Sequence, residues 1–151
     1  MARDSRTDES NNLIIPALGG LYCALTPFAL TLMRVLAGGL LMIHGWPKIT
    51  NPFGAVGMVE SLGFYPGAFW APLLACTEFF GGLLILLGLL TRPAAFAGMI
   101  VLLVTVYFHW IVKAEGLMGA EKSILWAAIL FFFAVTGGGR WSLDRKIGKW
   151  F

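Results

Sequence analysis

The feature that most constrains this sequence is an uninterrupted apolar stretch at residues 68–90, which carries a single charge, Glu78. The stretch has 23 residues, and a helix needs about 20 to cross the hydrocarbon core of a bilayer. A carboxylate at that depth costs a few kcal/mol unless another group pairs with it. The sequence therefore predicts a transmembrane helix whose Glu78 faces other parts of the protein and has a partner there.

The composition excludes a soluble domain. Of the 151 residues, 58% are hydrophobic and 13% are charged, whereas soluble domains have about 25% charged residues. We therefore expect a polytopic membrane protein of one domain, with the lipid bilayer as a partner. The net charge of +3 comes from basic residues near the ends and not from a basic patch interleaved with aromatics, so nucleic acid is not expected. Cys23 and Cys76 lie in apolar segments, which favours small buried side chains over a disulfide or a reactive thiol.

The pattern of apolar runs predicts an all-α fold, a membrane-embedded four-helix bundle. Pro27 suits the first turn of the first helix, and Gly45, Trp46 and Pro47 end it. The Thr-Arg-Pro turn at residues 91–93 leaves no room for a loop, so the second and third helices should be antiparallel. A short helix on the membrane surface is expected between the first and second helices, in the Gly- and Pro-rich residues 47–67. The four predicted transmembrane helices are residues 27–46, 68–90, 93–112 and 122–138.

The two ends of the chain flank this transmembrane domain, residues 27–139. Residues 1–26 should be a polar N-terminus followed by an apolar segment, residues 13–25, that is too short to span and lies at the interface. Residues 140–151 should be a basic cytoplasmic tail with an amphipathic segment at the lipid surface. Seven Lys and Arg residues fall on the side of the termini and three on the other side. This excess predicts that both termini are cytoplasmic.

Four polar residues are expected inside the membrane. Counting 1.5 Å per residue from the inner helix ends puts Arg34 about 10 Å deep, Glu78 about 18 Å, and His44 and His109 about 25 Å. We therefore expect Arg34 to reach Glu78, and the two histidines to form a layer beyond it. Small residues share these faces and favour close helix packing, Gly38 and Gly45 with Arg34, and Ala75 and Gly82 with Glu78.

These residues predict a polar pocket that opens outward, with Glu78, His44 and His109 as the reactive groups. The residues expected to bind a ligand around them are Arg34, Lys48, Tyr107, Trp46 and Trp110. A histidine beside a carboxylate can donate to a quinone carbonyl and transfer its proton. Alternatively, the two histidines are the axial ligands of a haem b.

Simpler interpretations stay open for the same residues. In the first of these interpretations, Arg34 and Glu78 form only a structural ion pair that fixes helix register. In the second, the two histidines are bonded to backbone or water at the membrane interface. The spacing of Cys and His residues does not indicate a metal site. The sequence also has no nucleotide-binding loop, no nucleophile elbow and no HExxH motif.

Three segments carry a resemblance to a known family. LMRVLAGGLLMIHGWPKI in the first helix, ACTEFFGGLLILLGLLTRPAA in the second and GGGRWSLD near the end together resemble the DoxX family of small integral membrane proteins. The resemblance covers about residues 30–144. The positions that it carries over are Arg34, His44, Gly45, Lys48, Glu78, Gly82, Gly88, Thr91 and Arg92.

This resemblance implies a four-helix protein of the bacterial inner membrane. The family is named for the membrane subunit associated with a terminal quinol oxidase and a thiosulfate–quinone oxidoreductase. It therefore implies a small membrane subunit of a quinone-linked oxidoreductase or respiratory complex. Such a subunit is not catalytic alone, so it requires a larger redox complex or a partner that contains flavin or metal. The alternatives are a non-catalytic accessory or scaffold subunit and, less favoured because no inverted repeat is visible, a transporter or channel.

Overall fold

The structure, a computed structural model, describes residues 15–148, and its regular elements are helices. A 3-10 turn, Pro16–Leu18, leads into the long helix α1, Gly19–Thr50. Helix α4, Thr91–Tyr107, continues into a π-helical turn, Phe108–Val112. The other helices are α2 (Val56–Ser61), α3 (Gly67–Leu87), α5 (Gly116–Thr136) and α6 (Leu143–Ile147).

Four of these helices are long and apolar enough to cross a membrane: α1, α3, α4 with its π-helical turn, and α5. This confirms the predicted all-α bundle with four membrane-spanning helices. The protein is thus a multi-pass membrane protein. An even number of spans is what the sequence predicts for two ends on one side of the bilayer. The prediction that this side is cytoplasmic stays a prediction.

Helix α1 differs most from its predicted bounds, because it begins at Gly19 and not at Pro27, and ends at Thr50 and not at residue 46. Pro27 and Pro47 both lie inside it. Membrane helices tolerate proline, so neither residue ends this helix. The predicted boundary between the N-terminal segment and the first helix is therefore wrong, because residues 19–25 belong to α1. The first residues of that segment, 13 and 14, lie outside the described residues.

The other helix ends differ by smaller amounts. α3 ends at Leu87 because Gly88 adopts a left-handed conformation, with φ of 71°. α5 begins at Gly116 and not at residue 122. The charged Glu121 and Lys122 do not interrupt the helix, because they lie on an exposed side of its first turns. The short helix α2 lies within the segment predicted for a surface helix. α6 lies within the predicted amphipathic tail, whose residues 149–151 are outside the described residues.

Helices α1 and α3 pack with their backbones in contact. A Cβ atom at Gly82 would lie 2.6 Å from the backbone nitrogen of Met42, and one at Gly45 would lie 2.5 Å from that of Phe79. The predicted small-residue faces are buried on both helices. Across the bundle, α4 packs on α5 through a cluster that includes Ala95, Leu102, Leu130 and Phe133. Two tightly packed helix pairs therefore form the core.

The glycine contacts predict a position-dependent effect of added methyl groups. Gly82→Ala should lower the free energy of unfolding by about 1–3 kcal/mol, because the methyl group collides with the α1 backbone. Gly20→Ala in α1 is the matched control, because nothing lies within 4 Å of its added Cβ. We expect the control to be neutral or to gain up to about 1 kcal/mol from helix propensity. Denaturation of the purified protein in detergent measures both, and equal effects would contradict the contact.

Candidate functional site

A cavity of about 460 Å³ lies between α3 and α4. Its walls come from the halves of these helices that are farther from the turn joining them, including Leu74 on α3 and Val101 and Val104 on α4. Val59 of α2, with Leu62 and Phe64 after it, closes one side. Most of the lining is apolar. The polar side chains in it are Lys48, Thr77, Glu78, Thr105 and His109.

Glu78 faces the protein, as its sequence context predicted, and forms a salt bridge with Lys48. The Lys48 Nζ donates to Glu78 Oε2. The Glu78 side chain is only 7% exposed, whereas that of Lys48 is 31% exposed. The long lysine stem thus brings a charge from the end of α1 to a buried carboxylate in the middle of α3. Since the pair also lines the cavity, its charges are available to a bound molecule.

The predicted pair between Arg34 and Glu78 is wrong. Arg34 is buried, and its Nη1 donates to the carbonyls of Ile85 and Leu86, at 3.0 and 2.8 Å, while its Nη2 donates to that of Trp141 at 3.0 Å. The last carbonyls of a helix have no partner within it, and a cation there is favourable. Ile85, the nearer of the two residues on α3 whose carbonyls accept from Arg34, lies seven residues, about 10 Å, beyond Glu78. Arg34 therefore satisfies the end of a helix and does not contact the cavity.

A second carboxylate, Asp144, joins this region. Its Oδ1 accepts from the Leu90 backbone N–H at 2.7 Å, and its Oδ2 accepts from the N–H and the hydroxyl of Thr91, at 3.0 and 2.8 Å. Its own N–H donates to the Gly88 carbonyl at 2.8 Å. Asp144 thus caps the start of α4 from a distant part of the chain. The residues of this region, which we call the Arg34 cluster, are Arg34, Gly88, Thr91, Trp141, Ser142 and Asp144.

The Arg34 cluster explains two of the motifs in the sequence. A Cβ at Gly88 would collide with the Arg34 guanidinium, and one at Gly138 would lie 2.6 Å from the Ser142 Cβ and 2.7 Å from the Thr91 hydroxyl. The LGLLTR and GGGRWSLD segments therefore meet around Arg34. Sequence reasoning did not identify Asp144 as a functional or structural residue. The signal was present in the Ser-Leu-Asp of the closing motif, but the sequence alone did not show which helix it caps.

His44 lies outside the cavity. It is exposed, and its ring packs edge-on against Trp126 of α5, with centroids 5.6 Å apart. A helix turns about 100° per residue, so His44 points away from the face on which the neighbouring Gly45 contacts α3. His109, by contrast, lines the cavity. The structure therefore does not bring the two histidines together in the arrangement that a haem would require.

The three predicted aromatic walls also lie elsewhere. Trp46 packs against Phe79, with centroids 5.7 Å apart, and is largely exposed. Tyr107 and Trp110 are exposed as well, because they lie about 200° and about 100° around the helix from His109. The aromatic side chains that line the cavity instead are Phe64, Trp70 and Phe108. Of the predicted site, the structure brings together Lys48, Glu78 and His109.

His109 is held by a residue that sequence reasoning missed. Its Nδ1 lies 2.6 Å from Glu115 Oε2, within hydrogen-bond distance. This hydrogen bond from His109 is the main reason why the pKa of the Glu115 carboxyl is below its ordinary value, and the nearby Lys113 lowers that pKa further. The stabilisation from a lowered carboxyl pKa is present above the unfolded pKa. It is lost as the pH falls through the folded value.

The Lys48–Glu78 pair predicts strong coupling between two substitutions. Lys48→Met leaves the buried Glu78 carboxylate without its partner and should cost about 3–5 kcal/mol of unfolding free energy. Glu78→Gln should cost less, because the partly exposed Lys48 ammonium keeps access to water or headgroups. The double variant should recover most of the loss. Unfolding of the four proteins in detergent measures the coupling, and additive effects would contradict a direct pair.

The Arg34 cluster predicts that lysine cannot replace arginine. An ammonium lacks the planar fork with which Arg34 reaches carbonyls of two chain segments. Arg34→Lys should therefore lower the free energy of unfolding by about 1.5–3 kcal/mol. Arg140→Lys changes an exposed arginine near the same cluster and should stay within about 0.5 kcal/mol of the wild type. An Arg34→Lys variant as stable as this control would contradict the assigned bonds.

Comparison with known proteins identifies several relatives. The chain is 38% identical over 119 residues to the inner membrane protein YqjF of Escherichia coli K12, covering 77% of this chain and 89% of that protein. It is 33% identical over 136 residues to the uncharacterized membrane protein Rv3486 of Mycobacterium tuberculosis, covering 82% and 83%. It is 28% identical over 132 residues to the inner membrane protein YphA of E. coli K12, covering 83% and 94%. No solved structure shows a significant match.

The family comparison agrees with the first two of the three motifs. Residues 29–111 match the DoxX family model. The matched region runs from α1 to the π-helical turn and includes Arg34, Lys48, Glu78 and His109. With more than half of its length matched and relatives that align over most of theirs, this chain belongs to the DoxX family.

Proposed function

We propose that this protein binds a lipid-soluble quinone in the cavity between α3 and α4, as the small membrane subunit of a quinone-linked oxidoreductase or respiratory complex. One observation carries the proposal. A mostly apolar cavity inside a transmembrane bundle has the polar side chains Lys48, Glu78 and His109 in its wall.

The lining fits a quinone head group. A cavity of about 460 Å³ is within the usual range of about 300–1,000 Å³ for small-molecule sites. Leu74, Val101 and Val104 offer apolar contact to a ring, and Lys48 offers a donor to its carbonyl oxygens, as does His109 when its ring is protonated. Glu78 offers an acceptor to the hydroxyls of the reduced form. The lining thus has groups for both redox forms of such a ligand.

Access from the bilayer supports a lipid-soluble ligand. Leu73 and Ile100 line the cavity and are also 43% and 46% exposed on the surface of α3 and α4. Exposed apolar side chains of membrane-spanning helices contact lipid. A molecule with a hydrophobic tail therefore reaches the cavity sideways from the bilayer, without passing through water.

The division of chemistry follows from these residues. A bound quinone supplies the capacity to take up electrons and protons. Lys48 and His109 bind and orient its oxygens, Glu78 holds the Lys48 ammonium in place, and a protonated His109 holds a proton beside the ligand. These side chains do not carry electrons, so the proposal includes a partner protein with flavin or metal. The names of the relatives support a place in the bacterial inner membrane. The distribution of Lys and Arg supports cytoplasmic termini.

A specific observation favours a second candidate, an accessory or scaffold subunit. The first part of α1 projects apolar side chains that the rest of the described chain does not cover, including Leu21, Tyr22, Leu25 and Phe28, each about half exposed. The buried residues of α1 beyond Gly19 begin only at Arg34. This surface suits contact with another membrane helix, in which case the polar residues of the bundle serve stability alone.

Quinone binding tests the proposal directly. The probe is decylubiquinone, and the signal is quenching of Trp70, whose ring lines the cavity; Trp70→Phe identifies its share of the fluorescence. We expect saturable quenching in the wild type and about tenfold weaker binding in Glu78→Gln and in Lys48→Met, since each loses a polar contact of about 1.4 kcal/mol. Glu121→Gln removes an exposed carboxylate of α5 and should bind as the wild type does.

The same variants separate the two candidates. If the protein is a scaffold, decylubiquinone does not bind, and Glu78→Gln lowers the amount of the assembled complex but not the quinone reduction per complex in isolated membranes. If the cavity is the quinone site, reduction per complex falls with the affinity. Binding that is equal in the wild type, Glu78→Gln and Lys48→Met would overturn the proposed site.

A further inference from the structure

We infer that Glu115 is a positioning residue, which fixes the tautomer of His109 so that Nε2 is the ring nitrogen left for a ligand in the cavity. The consequence for quinone binding rests on the proposed function, but the tautomer itself does not. His109 lines the cavity from the π-helical turn Phe108–Val112, whereas Glu115 lies outside it with an exposed carboxylate.

Two contacts join Glu115 to the same residue. Its Oε2 accepts from His109 Nδ1 at 2.6 Å, and its backbone N–H donates to the His109 carbonyl at 3.0 Å. The side chain of Glu115 therefore binds the ring of His109, and the main chain of Glu115 binds the backbone of His109. This arrangement fixes both the position of the residue and the rotation of its ring.

The backbone conformation of the link between the π-helical turn and α5 places Glu115 beside His109. Ala114 has a φ of 53°, a conformation that costs a residue other than glycine about 1 kcal/mol, and Gly116 follows with a φ of 66°. At Gly119, the first turn of α5, a Cβ would lie 2.7 Å from Glu115 Oε2. The absence of a side chain at Gly119 thus leaves space for the carboxylate.

Lys113 binds the other carboxylate oxygen. Its Nζ lies 3.6 Å from Glu115 Oε1 and 5.1 Å from the centre of the Phe108 ring, which itself lines the cavity. The charged groups around His109 are then Glu115 and Lys113 on the outer side, and Lys48 and Glu78 in the cavity lining. Only Glu115 is hydrogen-bonded to the ring among the described residues.

This placement determines what His109 offers to a ligand. A neutral imidazole has one N–H, and with that proton on Nδ1 its Nε2 accepts a hydrogen bond. A protonated ring keeps Nδ1–H on Glu115 and donates from Nε2. His109 thus accepts from a quinol hydroxyl in one state and donates to a quinone carbonyl in the other, and the two states differ by one proton at Nε2.

Nitrogen-15 NMR of the full-length protein tests the tautomer without any ligand. The chain has only two histidines, so His44→Gln leaves His109 as the single labelled imidazole. At about pH 9, where an ordinary imidazole is neutral, we expect the Nδ1–H form in this background. Adding Glu115→Ala should convert it to the Nε2–H form that an unconstrained imidazole favours. Glu115→Gln, which keeps a carbonyl acceptor, should retain Nδ1–H, and so should Lys113→Ala.

An Nε2–H signal in the His44→Gln background, or no change in Glu115→Ala, would overturn the inference. Decylubiquinone binding then separates it from the proposed function. Affinity about tenfold lower in Glu115→Ala, but close to wild type in Lys113→Ala, supports both. The expected NMR result without quinone binding supports the positioning role and contradicts the quinone site. Equal affinity in the wild type and Glu115→Ala contradicts positioning and leaves the quinone site standing.

Discussion

Every charge inside a bilayer needs a partner, and the architecture of this protein follows from how α1 provides partners for α3. Arg34 binds the carbonyls at the end of α3, and Lys48 binds the Glu78 carboxylate in its middle. These two cations lie fourteen residues apart on α1, about 21 Å along the helix and close to four full turns. Both therefore face α3.

The segment between the two cations brings the backbones together. Gly38 and Gly45 of α1 face Gly82 and the Glu78–Phe79 peptide of α3 so closely that added Cβ atoms would collide with backbone atoms. In a membrane, where burial of apolar surface gives little drive for helix association, such close packing and polar contacts hold helices together. The α1–α3 pair is thus packed backbone to backbone, and the α4–α5 pair packs beside it.

How well the sequence predicted this arrangement depended on the type of information needed. Helix number and the burial of Glu78 followed from apolar length and from small residues on one face, which are local properties. The identity of the partner of Glu78 did not follow from the sequence, because Pro47 indicated that the first helix ended before Lys48. The helix in fact continues to Thr50. The pairing of His44 with His109 also failed, because equal depth says nothing of the direction in which a helix residue points. Asp144 binds Leu90 and Thr91, which are 54 and 53 residues away, and no local pattern reveals that proximity. Glu115 is only six residues from His109, but the link between them is not a regular helix, so helical spacing did not place it.

The two polar regions of the bundle differ in what they leave open. At the Arg34 cluster, backbone carbonyls bind the Arg34 guanidinium and backbone N–H groups bind the Asp144 carboxylate. The space around Gly88 and Gly138 is filled, so no side chain would fit at either position. At the other region, Lys48, Glu78 and His109 line a cavity. A buried ion pair adds little net stability compared with apolar side chains of similar size, so stability alone is a weak reason to place one in a cavity wall. Beside an opening to the bilayer, the pair has a second use, because it offers a donor and an acceptor where lipid offers neither.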